Sequence, residues 1–190
     1  MTYADLLLHI DTYPTATPLS AIEEAVALAV GLGAALTGLA IEVEIPVRSN
    51  RLADRLIGLS AMAEEEEGTS RTACRDGLAN FTAAATAAGV FHASLLARVN
   101  HLDVPDHVAR LARTYDLCLL PRVDGCEGQF EVDQAVVFGS GRPVLIFRAG
   151  GTAGLANGPN LVVIAWDGSH GAARAMADAL PILVRAKQVR

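Results

Sequence analysis

Short apolar runs alternate along the chain with longer stretches in which apolar residues recur at helical spacing. The first run, 5–10, is too short for a helix and predicts a buried strand. Over 22–30 the apolar positions fall on one helical face, and Gly31 and Gly33 then end the pattern. The chain is therefore expected to open with a strand, a loop that contains prolines, and a helix.

The same alternation of strand and helix patterns continues to residue 147. Apolar runs predict further strands at 35–43, 91–99, 117–120 and 143–147. Helical spacing and start signals predict helices within 51–88, from Asp103 to about Arg113, and over 131–138, with a glycine-containing loop at 121–129. Strands that alternate with helices are typical of a parallel sheet with helices on both faces. The predicted fold class is α/β, with an open sheet of five strands.

The opening pattern returns in part near the end of the chain. Residues 149–159 contain four glycines and few bulky side chains, which is the composition of a linker. After it, the apolar run 160–166 ends at Asp167, as the first run ends at Asp11, and an alanine-rich helix follows. We predict a first domain over 1–148, a linker over 149–159, and the first strand and helix of a second, incomplete domain over 160–190.

The composition excludes several classes of function. Hydrophobic residues make up 52% of the 190 residues, so the chain can bury a sizeable core, and the formal net charge of -6 disfavours nucleic acid as a partner. Lys187 is the only lysine, which excludes a P-loop or Schiff-base lysine in the first domain. The three cysteines are unevenly spaced, and no signal peptide or membrane span is recognisable. We expect a cytoplasmic protein that contacts no membrane.

Four segments resemble the universal stress proteins, in particular the tandem two-domain type of bacteria. They are D-L-L-L-H-I-D at 5–11, A-R-T-Y-D-L-C-L-L-P at 112–121, S-G-R-P-V-L-I-F at 140–147, and V-V-I-A-W-D-G-S-H-G-A-A-R-A-M-A-D-A-L-P-I-L at 162–183. The resemblance implies a Rossmann-like fold of the adenine nucleotide alpha hydrolase-like type, with a mostly parallel sheet in the strand order 3-2-1-4-5.

The resemblance also implies where a nucleotide would bind. Family members that bind ATP use an acidic residue at the end of the first strand, backbone groups at the end of the second, and a loop of pattern G-x2-G-x9-G-[ST] after the fourth. The matching positions in this sequence are Asp11, Ile41, Gly125 and Gly128, with Asp167 as the acidic residue of the second copy.

The glycine loop departs from the family's pattern. Gly139-Ser140 follows Gly128 after ten intervening residues and lies only two residues before Pro143, where the fifth strand is predicted to begin. The helix after the loop is expected to begin near Phe130-Glu131 instead, and a carboxylate at that position would repel a phosphate.

We therefore expect a non-enzymatic stress-response or regulatory module, with a degenerate nucleotide site in its first domain and no bound cofactor. The alternative is a stress protein that binds ATP or another adenine nucleotide through Asp11 and the Gly125–Gly128 loop. A weaker alternative is a flavodoxin-like FMN carrier, because the loop 12–20 is rich in hydroxyls. That loop lacks a glycine, however, and aromatic residues make up only 5% of the chain.

The histidines show no metal-ligand spacing. His9 and His92 fall inside predicted strands and are interpreted as structural. His101, together with Asp103 and His107, falls at the carboxyl end of the third strand, where open α/β sheets bind ligands.

Other reactive side chains have ordinary interpretations. Ser140 and Ser169 lack the G-x-S-x-G context of a hydrolase nucleophile. We expect Cys118 in the core, Cys126 as a free loop thiol, and Trp166 in the core or between the two repeats. For Arg142 two interpretations stay open, contact with an anion and an ion pair with Asp133 or Glu131.

The predicted fifth strand is an apolar edge, and in the family that the sequence resembles, equivalent edges meet across a two-fold axis. About thirty residues cannot build a core of their own, so the segment 160–190 needs a neighbour. Either the chain is a fragment of a tandem protein, or this segment docks onto the first domain or a second molecule. We expect a homodimer, with exchange of 160–190 between the two molecules as one route.

Overall fold

A computed structural model describes residues 2–46, 58–123, 128–149 and 157–190. The described residues form five strands: β1 (Asp5–Ile10), β2 (Ala35–Glu44), β3 (Phe91–Asn100), β4 (Leu117–Arg122) and β5 (Val144–Arg148). They also form six α-helices: α1 (Leu19–Leu32), α2 (Leu59–Ala87), α3 (Val104–Ala112), α4 (Gln129–Gly139), α5 (His170–Asp178) and α6 (Leu180–Leu183). A short 3-10 helix, His101–Asp103, joins β3 to α3.

All five strands are parallel and lie in the order β3-β2-β1-β4-β5, which confirms the predicted fold class and strand order. β1 is the central strand, and its Leu6 lies opposite Leu36 of β2 on one side and Leu117 of β4 on the other. The strand order reverses between β1 and β4. Ligands of open α/β sheets bind at such a reversal, beyond the carboxyl ends of the strands.

Both faces of the sheet are covered by helices. Leu6, Leu8 and Ile10 of β1 pack with α1 and α2 on one face. Leu7, the alternate residue, packs with α3 and α4 on the other face. Because successive side chains of a strand point to opposite faces, a strand that is buried on both faces has an unbroken apolar run instead of an alternating one.

Two of the predicted element boundaries are corrected by the structure. α1 continues through Gly31, and it is Gly33, with a positive φ of 69°, that ends the helix in the left-handed conformation. Pro121 was expected to begin a loop but lies inside β4, opposite Phe147 of β5. β1 pairs with β4 only as far as Leu119, so the N–H group that Pro121 lacks is not needed on that side.

The expected strand over 160–166 does not form. Within the described part of this segment, Val162 makes a single isolated bridge, with Val189, and its N–H group donates to the Gln188 carbonyl at 2.9 Å. A strand is stabilised by neighbouring strands, and here the segment pairs only with the last residues of the chain. The expected helix is present as α5, but none of its residues is buried.

The segment 157–190 lies against the first domain. The Tyr3 hydroxyl donates to the Asp178 carbonyl at 2.6 Å, and the Arg185 guanidinium donates to the Gly31 carbonyl. Ile182 packs against the core cluster that contains β1 and α1. Burial raises the pKa of Tyr3 to about 12, so its phenol stays protonated and able to donate at neutral pH. The predicted domain boundaries themselves stay a prediction.

None of the helices in the described part of the chain is long and apolar enough to cross a membrane. The longest of them, α2, packs instead on β2 through Phe81, whose side chain is completely buried. The Phe81 ring lies over Gly38 of β2, where a Cβ atom would come within 2.6 Å of Cδ1. Phe81 therefore requires a glycine at position 38 of the neighbouring strand.

We expect Gly38→Ala to lower the free energy of unfolding by about 1–3 kcal/mol, because the added methyl group must displace a buried aromatic ring. Gly68→Ala is the matched control, since Gly68 lies within α2 and a Cβ atom there would meet nothing within 4 Å. The control should raise stability by about 0.5–1 kcal/mol. Urea denaturation of the two variants measures both changes, and a loss of stability of equal size in both would contradict this packing.

Candidate functional site

The candidate site lies at the carboxyl end of the central strands, where the strand order reverses. Asp11 follows β1 directly, and Gln129 is the first residue of α4, which comes after β4. The main chain at Asp11 is fixed by Thr17, because the Asp11 N–H donates to Thr17 Oγ1 at 2.8 Å and the Thr17 N–H donates to the Asp11 carbonyl at 2.9 Å. The acidic side chain is thus held at the crevice.

Both carboxylate oxygens of Asp11 have partners within the protein. Gln129 Nε2 donates to Asp11 Oδ2 at 2.7 Å, and His9 Nδ1 lies 3.4 Å from Asp11 Oδ1. Asp11 is only 8% exposed, and His9 and Gln129 are buried as well. A buried carboxylate needs such partners, because an unpaired one carries the full cost of its lost hydration.

Gln129 connects three parts of the chain. Its Oε1 accepts the Val123 N–H at 2.8 Å, and its Nε2 also lies 3.3 Å from the Pro121 carbonyl. The same amide therefore satisfies Asp11 and the backbone at the end of β4. As a result, the side chain of the first residue of α4 occupies the space beside the Asp11 carboxylate.

A second buried carboxylate lies nearby in α4. Asp133 accepts from Arg122 Nη1 at 2.9 Å and is only 6% exposed. Burial is the main cause that raises the Asp133 pKa, Arg122 lowers it, and the negative charge of Asp11 raises it further. Burial likewise raises the pKa of Asp11, against smaller lowering effects of His9 and the Gln129 hydrogen bond. The two carboxylates thus lie in an environment that disfavours additional negative charge.

Two hydroxyl side chains form hydrogen bonds with the backbone at the end of β2. Thr12 Oγ1 donates to the Ile41 carbonyl at 2.5 Å and lies 3.0 Å from Ser70 Oγ. Ser70 Oγ in turn accepts the Val43 N–H at 3.1 Å. The resemblance implies that backbone groups in this region contact a nucleotide. In this chain the carbonyl of Ile41 and the N–H of Val43 are bonded to the protein's own side chains.

A cavity of about 260 Å³ lies between these elements. Its described lining includes His9, Asp11, Ile41, His101, Gly128 and Glu131, and none of the described lining residues is a lysine or an arginine. The buried Nδ1 atom of His101 has no hydrogen-bond partner among the described residues.

A second cavity, of about 590 Å³, lies on the other side of Asp11. α2 supplies most of its lining, including Glu65 and Asp76, and no described lining residue there is a lysine or an arginine either. Among the described lining residues, therefore, neither cavity offers a lysine or an arginine that could neutralise a phosphate.

The structure brings together only part of the predicted site. Asp11, Ile41 and Gly128 line one cavity, whereas Gly125 lies outside the described residues. Asp167 lines neither of the two cavities that Asp11 lines. It is exposed, and its carboxylate accepts the Ser169 N–H at 2.8 Å. Hydrogen bonds from the Ser169 hydroxyl and, to a smaller extent, from this N–H lower the Asp167 pKa. This carboxylate supports the turn that begins α5.

Of the candidates at the end of β3, only His101 lines the cavity, while Asp103 and His107 do not. Gly139-Ser140 lies at the end of α4 and not at its beginning. A Gly-Ser pair at the end of a helix cannot offer a phosphate the N–H groups of a helix start.

The structure also describes three further residues that the sequence analysis considered, namely Cys118, Trp166 and Arg142. Cys118 is buried in the core as expected. Cys126 lies outside the described residues. Trp166 is 57% exposed in the chain and does not close its core. Of the two interpretations of Arg142, the ion pair with Asp133 or Glu131 does not form among the described residues. Arg142 Nε donates to the Arg113 carbonyl at 3.0 Å, and Asp133 pairs with Arg122.

Sequence reasoning missed Gln129, Thr12 and the His9–Asp11 pair. For the pair a signal was available, since residues two apart in a strand share a face, and this holds for His9 at the end of β1 and Asp11 directly after it. Gln129 gave no such signal, because a glutamine beside a glycine is unremarkable until the fold places it next to Asp11.

The raised pKa of Asp11 predicts how stability depends on pH. As pH rises above about 4, the unfolded state ionises freely while the folded state resists ionisation, so the free energy of unfolding falls until pH passes the folded-state pKa. Asp11→Asn keeps an acceptor for Gln129 and removes the ionisation. We expect the wild type to lose stability relative to Asp11→Asn as pH rises, in urea denaturation at a series of pH values.

Asp116→Asn is the control of opposite sign. The Asp116 carboxylate accepts the N–H groups of Ala4 and Asp5 at 2.8 and 3.1 Å, and these bonds lower its pKa. Its contribution is present above the unfolded-state pKa and is lost as pH falls, so the wild type should lose stability relative to Asp116→Asn in acid. The same sign for both variants would contradict the arrangement described for Asp11.

No protein-family model and no curated protein matches the chain. Among solved structures, a universal stress protein in complex with cAMP is 17% identical, with a TM-score of 0.49, and the match covers 78% of this chain and 99% of that one. A universal stress protein family member from Burkholderia pseudomallei is 22% identical, with a TM-score of 0.47 and coverage of 76% and 96%. A universal stress protein from Lactobacillus plantarum is 18% identical, with a TM-score of 0.48 and coverage of 78% and 99%.

These similarities are distant and carry no residue role across to this chain. The strand order β3-β2-β1-β4-β5, with helices on both faces, is observed directly in this chain and is the order that the sequence resemblance implies. The chain thus has an open α/β fold with five parallel strands, in the strand order that the sequence resemblance implies.

Proposed function

We propose that the chain is a universal stress protein-like regulatory module of the stress response, without enzymatic activity, in which the nucleotide site of the first domain is degenerate. The observation that carries this proposal is the buried contact of Asp11 with Gln129 and His9. The acidic residue that the family resemblance assigns to a nucleotide is engaged with the protein itself. A ligand at Asp11 would compete with Gln129 and His9 for the oxygens of this carboxylate.

The charge of the crevice also supports a degenerate site. The N-terminus of a helix favours an anion, but Glu131 in the first turn of α4 places a negative charge there. Asp11 and Asp133 add two buried carboxylates behind it. With no lysine or arginine among the described lining residues, a triphosphate would meet net repulsion in this cavity.

The volume of the cavity beside Gly128 also supports a degenerate nucleotide site. Pockets that enclose drug-sized ligands have volumes of roughly 300–1,000 Å³. The cavity beside Gly128 has about 260 Å³. A complete nucleoside triphosphate would extend beyond this cavity, and the larger cavity on the other side of Asp11 is lined by the carboxylates of Glu65 and Asp76.

The alternative is an adenine-nucleotide-binding stress protein that uses Asp11 and the Gly125–Gly128 loop. One observation favours it: His101 Nδ1 is a buried polar atom that has no partner among the described residues, and it belongs to the cavity that Asp11 lines. A ligand with a complementary hydrogen-bonding group would satisfy this atom.

Isothermal titration calorimetry with Mg²⁺ and ATP distinguishes the two functions. We expect no heat of binding up to about 1 mM ATP, because the site is acidic and Asp11 is already bonded to Gln129 and His9. We also expect no release of phosphate above the rate in buffer. Micromolar binding that is lost in both Asp11→Ala and Gly128→Glu would overturn the proposal and establish the alternative. Asp5→Ala is the matched control, because Asp5 is exposed and lies at the opposite end of β1.

A further inference from the structure

β3 forms one edge of the sheet, and its residues are exposed or half-buried. The strand has ten residues, and none of them is buried. Leu96 is 57% exposed, which is unusual for a leucine in a strand of this core sheet. β3 pairs with β2 on one side only, and within the described residues nothing pairs with its other side. Alternate residues therefore present unpaired N–H and C=O groups at this edge.

The edge lacks the features that usually keep a strand from pairing with another chain. β3 contains no lysine and no proline, and its one register irregularity lies at its first residues, opposite Leu36/Thr37. Its one arginine, Arg98, is held by carboxylates of its own chain, 2.8 Å from Glu44 Oε1 and 3.8 Å from Glu67 Oε2. A long edge strand without lysine or proline is a template for a further strand.

We propose that this edge is occupied by a second copy of the chain, whose β3 pairs antiparallel with the first around a two-fold axis at Leu96. A two-fold axis perpendicular to the sheet keeps each residue on its own face, so opposed residues must share a face. With Leu96 at the axis, the two exposed leucines meet, Ser94 of one copy faces Arg98 of the other, and His92 faces Asn100. The two sheets join into one continuous sheet.

Antiparallel pairings centred one residue away from Leu96 bring less compatible side chains opposite each other. Centring the pair on Leu95 places His92 opposite Arg98 of the other copy, which brings two basic groups together. Centring it on Ala97 places the apolar Leu96 opposite Arg98. The register at Leu96 opposes no two charged groups and is the one that buries the exposed leucine against its equivalent.

The opposite edge of the sheet is a poorer surface for such pairing. β5 has five residues against ten in β3. The segment 157–190 lies beside it, because a groove of about 900 Å³ is lined both by β5 and by residues such as Leu161 and Val163. The sequence favours a dimer through the apolar β5 edge. In the structure β3 is the longer edge strand, and none of the described residues pairs with its outer side. This inference does not depend on the proposed regulatory function.

Sedimentation velocity of the full chain over a range of concentrations tests the proposal. We expect a dimer for the wild type and a dissociation constant raised about 100-fold or more for Leu96→Arg, because two guanidinium groups would then oppose each other at the axis. Ile146→Arg is the matched control, since Ile146 is a 40% exposed aliphatic residue of β5, and it should dimerise like the wild type. Circular dichroism verifies that both variants are folded.

A wild type that remains monomeric overturns the proposal, and so does unchanged dimerisation of Leu96→Arg. Loss of the dimer in Ile146→Arg also overturns it and places the interface at β5. If Leu96→Arg does not fold, Leu96→Cys keeps the test open, because opposed Cα atoms about 4.5–5.5 Å apart are within the range of a disulfide. In a Cys126→Ser background, mild oxidation should link Leu96→Cys into dimers and leave Ile146→Cys monomeric, and the reverse pattern would refute the pairing.

Discussion

The hydrogen bond from Gln129 to Asp11 joins positions 118 residues apart, and the geometry of the crevice depends on it. A carboxylate buried without a partner would cost several kcal/mol, so the chain must supply donors wherever it buries Asp11. Gln129 meets this need and at the same time satisfies the backbone at the end of β4. The start of α4 is thereby fixed against β1, and the space in which a ligand could approach the carboxylate is reduced by the same contact.

Around this bond, other polar groups of the crevice are also hydrogen-bonded to side chains of the protein and not left free for a ligand. Thr12 and Ser70 bind the backbone at the end of β2, and Arg122 is paired with Asp133. Glu131 then adds a negative charge at the rim. The fold thus retains the crevice of a parallel α/β sheet, while its polar groups and its charge suit internal contacts better than a phosphate. His101, whose Nδ1 has no partner in the described structure, is the exception to this pattern.

The elements of the fold and the parallel sheet could be predicted from local patterns in the sequence, whereas the strand order was implied only by the resemblance to the universal stress proteins. The unbroken apolar run before Asp11 predicts a strand buried on both faces, and the alternation of such runs with helical spacing predicts a parallel sheet. Prediction failed where an element depends on distant partners. Pro121 could continue β4 because β1 stops pairing at Leu119, and 160–166 failed to become a strand although its composition resembles β1. The contact of Gln129 with Asp11 is equally non-local, and no spacing rule could indicate it.

The exposed edge and the crevice are connected through the end of β3. Asn100, the last residue of the strand, accepts the Leu102 N–H with its side chain at 3.0 Å and so begins the short helix that carries His101 into the cavity lining. A strand that pairs with β3 in the register centred on Leu96 reaches Asn100, because His92 of the other copy lies opposite it. Pairing would therefore restrict the backbone directly before His101. Within the described residues, the proposed interface thus ends directly before His101, whose buried Nδ1 atom has no hydrogen-bond partner.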